Sequence, residues 1–116
     1  MAMPADANWL GDIFGGWLMS HADIAGAIHA YRRAQGKVVT VAVRDFTFVA
    51  PVYVGDVVTF FTNIEQVGRT SLQVRVSVFA ERPGNAPGEH IEVAGATFIY
   101  VHVDEKRQKK PLPPMP

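Results

Sequence analysis

Cysteine is absent from this chain, which therefore has neither a disulfide framework nor a thiolate nucleophile. Neither charge is in excess: eleven Lys and Arg balance eleven Asp and Glu, so nothing in the charge favours nucleic acid or an anionic membrane. No apolar run is long enough to span a bilayer, and Met1-Ala2-Met3-Pro4-Ala5-Asp6 lacks the basic start and apolar stretch of a signal peptide. Internal repeats are missing, as is a Gly-x-Ser-x-Gly elbow; Ser20 falls mid-helix, the wrong place for a serine nucleophile. The histidines form no metal set, since His21 and His29 have no acidic companion on their helix face and His90 and His102 fall on a strand. These absences predict a soluble cytoplasmic protein that uses no metal or redox cofactor, does not insert in membranes and does not bind nucleic acid. A chain of 116 residues makes one domain, here taken as residues 1–105 with a basic, Pro-rich tail over 106–116.

One further scarcity is local. Residues 1–31 contain no Lys or Arg, and from Ile13 to Tyr31 the only charged side chain is Asp23. A lone carboxylate in an apolar helix is hydrogen-bonded to neighbours or does chemistry, because burying it otherwise costs several kcal/mol. Gly15-Gly16 opens the same helix and offers free backbone N–H groups at its positive end. A carboxylate and an oxyanion-binding helix terminus are the minimal equipment for hydrolysing an activated acyl group. The residues alone leave a structural carboxylate open as well. Asp6 and Asp12 precede the helix, where capping carboxylates are ordinary, and Asn8 fits a loop residue bonded to its own backbone.

The periodicity predicts a helix over Phe14–Ala34, about 30 Å long. Phe14, Trp17, Leu18, His21, Ile24, Ala25, Ile28 and Tyr31 form the face expected to pack on a sheet, leaving Gly16, Ser20, Asp23, Ala27, Ala30 and Ala34 for a second covering surface. Gly26 in mid-helix costs about 1 kcal/mol against Ala and predicts a close approach there. Gly36 is the expected left-handed cap. Strands follow over Val38–Val49, Val57–Val67, Thr70–Glu81 and His90–Val103, the last apolar on both faces and hence central. The segment from Lys109 to Pro116 is expected to be extended and loosely held. The fold class is α+β, one long helix and an antiparallel sheet.

The segments Asn8-x-x-Gly11-Asp12-Ile13-Phe14-Gly15-Gly16-Trp17, Met19-Ser20-x-x-Asp23, Val39-Thr40-Val41-Ala42-Val43, Pro51-Val52-x-Val54-Gly55-Asp56, Val67-Gly68-Arg69-Thr70-Ser71 and Thr97-Phe98-x-Tyr100-Val101 resemble the hotdog-fold acyl-CoA thioesterases. The likeness is to the YciA-type and cytosolic acyl-CoA hydrolase group and runs along essentially the whole chain. It implies a sheet wrapped around a central helix and hydrolysis of acyl-CoA to acid and CoA. Asp23 would be the catalytic carboxylate, as general base or nucleophile, with Asn8 assisting from the partner subunit. Gly15 and Gly16 would bind the thioester oxygen, while Thr40, Gly68, Arg69, Thr70 and Ser71 would meet CoA. A homodimer is implied, assembling to a hexamer in preference to a tetramer. A non-catalytic acyl-CoA or acyl-carrier binding module is the alternative, and a hotdog dehydratase a third, though it would want a catalytic His. Departures from the family pattern are Arg44 for an acidic residue, Ala50 for a cation, and His21-Ala22. The family usually has a strand ahead of the segment matching Ala2-Met3-Pro4, and this sequence begins almost at that point.

Overall fold

The computed structural model describes residues 1–8 and 11–115. After a 3-10 turn at Pro4–Asp6 come helix α1 (Gly15–Ala34) and strands β1 (Val38–Phe48), β2 (Val57–Val67), β3 (Ser71–Glu81) and β4 (Ile91–His102). The strands form one antiparallel sheet in the order β1-β4-β3-β2, so the strand apolar on both faces is internal, as its pattern predicts. The helix lies across one face of this sheet, the hotdog arrangement. Among the described residues, no helix is long and apolar enough to cross a membrane.

The helix is turned differently from the expectation over most of its length, although Leu18 is buried on the sheet and Trp17 packs against the core as predicted. The row buried on the sheet is Leu18, Ala22, Gly26, Ala30 and Ala34, spaced four apart, and the bulky Ile24, Ile28 and Tyr31 remain 56%, 48% and 58% exposed. The reason lies in β4. Phe98 and Tyr100 rise from it, fully buried, and fill the space between the layers, so only small helix residues fit above them. A Cβ on Gly26 would collide with the Tyr100 hydroxyl and lie 3.2 Å from its ring carbons. The close approach predicted at Gly26 is therefore to a phenol. Beneath the helix, Leu72, Val74, Val76, Val78 and Ala80 of β3 complete the core, each large side chain contributing roughly 1.5–3 kcal/mol on burial.

Gln35, not Gly36, takes the left-handed cap at φ 56°, its N–H bonded to the Tyr31 carbonyl. Gly36 is small for another reason: a Cβ there would stand 2.7 Å from His102 Nε2. The tail is fastened, contrary to the expectation of a loose end. Val103 bridges Lys109, the Lys110 N–H bonds the His102 carbonyl, the Leu112 N–H bonds the Arg69 carbonyl, and Arg33 donates to the Pro113 carbonyl at 2.7 Å. At the opposite end of the sheet, Asp56 is 1% exposed and anchors the turn entering β2.

Candidate active site

Asp23 sits half-buried in the middle of α1, where three elements converge on it. From β1, the Thr40 hydroxyl donates to Asp23 Oδ1 at 2.7 Å. From β4, the Tyr100 hydroxyl lies 3.0 Å from the same Oδ1 and 2.8 Å from the Asp23 main-chain carbonyl. Thr40 and Tyr100 are cross-strand partners, and the register slips immediately after Thr40, between it and Ala42. A bulge at this point re-aims the neighbouring side chain, and here both hydroxyls meet one carboxylate oxygen. Oδ2 carries no hydrogen bond among the described residues. Burial, and then the Asp23 charge and hydrogen bond, push the Tyr100 phenol well above its ordinary range, so it stays protonated and remains a donor.

The second group of predicted residues lies at the start of the helix. Gly15 and Gly16 follow Phe14, which provides no side-chain cap, and their amides bond no acceptor among the described residues. Such unpaired N–H groups at a helix N-terminus are ready to receive a developing negative charge. Gly15 also has a packing reason to be glycine, since a Cβ would lie 2.8 Å from Phe48 Cζ, whereas nothing stands within 4 Å at Gly16. Asn8 bonds the backbone locally: its Oδ1 accepts from the Asp12 N–H at 3.1 Å and its N–H donates to the Asp12 carbonyl. Asn8, Gly15, Leu18, Phe48 and Val49 line a cleft of about 460 Å³ beside the helix start.

These two groups are not together within one chain. Gly15–Gly16 and Asp23 are seven to eight residues apart on one helix, which is roughly 11 Å along its axis at 1.5 Å per residue. The Gly68-Arg69-Thr70-Ser71 turn lies at a third place, at the end of the sheet where the tail returns. There the Gly68 N–H bonds the Ser71 carbonyl and the His102 N–H bonds the Thr70 carbonyl. Arg69 is exposed in this turn. Of the residues expected to meet CoA, Thr40 is the one in contact with Asp23.

Sequence reasoning passed over Tyr100, whose contact with Asp23 joins residues 77 apart. The available signal was the combination of a polar-tipped aromatic in the central strand with a costly glycine in the facing helix. The histidines are accounted for separately: His21 packs on Trp17, His29 bonds Thr62 at 2.9 Å, His102 bonds the Pro111 carbonyl at 3.1 Å, and His90 is exposed.

A profile described as the thioesterase superfamily matches residues 10–86. The acyl-CoA thioester hydrolase YciA of Salmonella typhimurium is 47% identical over 114 residues, 97% of this chain and 86% of that protein. Among solved structures, a hexameric thioesterase from Yersinia pestis superposes with a TM-score of 0.93 at 45% identity, covering 98% of this chain and 92% of that one. A hexameric broad-specificity acyl-coenzyme A thioesterase, solved as an aspartate-to-alanine variant, gives 0.93 at 43% identity over 97% and 82% of the two chains. With helix, sheet and motifs agreeing along their lengths, this chain belongs to the thioesterase superfamily, in its YciA-type acyl-CoA thioester hydrolase branch.

Proposed function

We propose that this protein is a cytoplasmic enzyme that hydrolyses acyl-CoA to a free carboxylic acid and CoA, with Asp23 as its catalytic carboxylate. The observation that carries the mechanism is the asymmetry of that carboxylate. Oδ1 is held by Thr40 and Tyr100, and Oδ2 is left open to accept a proton from water. The water oxygen attacks the thioester carbonyl while Asp23 takes its proton. The charge gathering on the carbonyl oxygen is met by the amides of Gly15 and Gly16, the CoA sulfur departs, and the proton follows it. This reaction needs neither an added metal nor a redox cofactor. The position of Arg69 in an exposed turn suits contact with CoA phosphates.

The 11 Å separation along α1 supports a composite site, because one carbonyl group cannot reach Gly15–Gly16 and Asp23 of the same helix. A dimer overcomes this by lending Asn8, Gly15 and Gly16 of one chain to Asp23 of its mate. The exposed Ile24, Ile28 and Tyr31 supply an apolar face for such a contact, and three dimers would make the hexamer that the Yersinia and broad-specificity relatives are described as forming.

Thiol release from a panel of acyl-CoAs, followed with a colorimetric thiol reagent, tests the activity: steady release is expected with at least one chain length. Tight binding with no release across the panel would favour a binding module. Shared construction has its own test. Asn8→Ala and Asp23→Asn chains, each poorly active alone, are expected to regain part of their activity when co-refolded. Mixed assemblies, verified by mass, that stay inactive would mean that each site is built within one chain.

A further inference from the structure

We propose that Tyr100 is a positioning residue for hydrolysis, its hydroxyl reaching past Gly26 to hold Asp23 with one carboxylate oxygen pinned and the other free. The inference rests on the reading of Asp23 as the reacting carboxylate and deepens it. Tyr100 is fully buried and touches no open cleft, so it acts through Asp23 and not on substrate. Its hydroxyl has one proton and two acceptors, the Asp23 carbonyl at 2.8 Å and Oδ1 at 3.0 Å. The carbonyl is part of the helix backbone and cannot swing, so it fixes where the phenol oxygen stands. Sharing its one proton between that carbonyl and Oδ1, the phenol also holds Oδ1 from below while Thr40 holds it from β1. Thr40 alone, exposed on its strand, leaves the carboxylate free to turn about its last bond and exchange its two oxygens.

Gly26 belongs to the same device. The phenol oxygen occupies the space where a Cβ would stand, so the helix accepts a residue that weakens it by about 1 kcal/mol. The ring itself is held in the sheet by Phe98, stacked with centroids 6.2 Å apart. A reacting group displaced by about 1 Å can lose on the order of 100-fold in rate, which sets the scale of the effect.

The test is steady-state kinetics on the full chain with an acyl-CoA that it hydrolyses. Y100F, which keeps the ring in the core, is expected to lower kcat roughly 10- to 100-fold, as for a lost hydrogen bond to a charged group, with KM changed less than about twofold. G26A, whose methyl group collides with the hydroxyl and pushes the intact tyrosine ring off Asp23, is expected to show the same split. In a D23N background, Y100F is expected to change the residual rate by less than about twofold, because the group it positions is already gone. A wild-type kcat in Y100F, a change confined to KM, or a full additional loss in the D23N background would each overturn the proposal. Should Y100F not fold, G26A and its pairing with D23N carry the same comparisons. Near-normal turnover by D23N alone would remove the catalytic reading of Asp23 and this proposal together, whereas an inactive D23N beside a fully active Y100F removes this proposal only.

Discussion

Asp23→Asn is expected to lower the rate of thioester hydrolysis at least about 100-fold with the fold intact, the scale of a lost general base. The substitution is nearly isosteric. The amide oxygen still accepts from Thr40 and Tyr100 where Oδ1 did, so α1 stays fastened to β1 and β4. What disappears is the ability of the free position to take a proton, since an amide NH2 there donates. Rate and stability are thus expected to separate: thiol release under saturating acyl-CoA collapses while the thermal unfolding midpoint moves by only a few degrees. A variant that turns over near the wild-type rate would end the assignment of Asp23.

The second large effect is on stability and lies at the other end of the sheet. Asp56→Ala is expected to cost about 3 kcal/mol, the low end of the range for breaking a buried ion pair. Asp56 Oδ2 accepts from the Tyr53 N–H at 2.9 Å and pairs with Arg82 Nε at 3.3 Å. Arg82 in turn donates to the Pro51 carbonyl at 2.6 Å and lies over the Tyr53 ring. One carboxylate therefore organises the whole Pro51–Asp56 turn, and its main-chain carbonyl receives the buried Ala2 N–H as well. Alanine removes the acceptor and leaves the guanidinium without its counter-charge, held among the described residues only by the Pro51 carbonyl and the Tyr53 ring. Because the Arg82 side chain keeps 24% exposure, water recovers part of the loss, which is why the low end applies. Urea unfolding measures it through the midpoint at an unchanged slope, and a loss below about 1 kcal/mol would show that the turn holds without its carboxylate.

Much of this could be read from residue order. The helix was expected from Phe14 and begins at Gly15; the second strand has the predicted limits, and the others differ by a residue or so at their ends. These are local matters, decided by the change from a 3.6-residue to a 2-residue period and by glycine and proline at the breaks. The motif residues of the candidate site were equally visible as candidates, because the isolation of Asp23 and the Gly15-Gly16 pair are properties of a short segment.

Three features were not visible, each depending on contacts between segments distant in the chain. Sequence periodicity places the bulky residues of α1 on the sheet. Tertiary packing places Leu18 and then only small residues there, because Phe98 and Tyr100 already fill the interlayer space and the helix settles at the distance they permit. The tail looks unattached by composition, and backbone bonds to Arg69 and His102 tie it down. The arrangement around Asp23 joins residues 17 and 77 positions away, through a strand register that no local pattern encodes. By itself the sequence determined the elements, their order and the carboxylate. The tertiary structure decided which face of the helix is buried and which oxygen of Asp23 is held, because both follow from how large side chains on one layer leave room for small ones on the other.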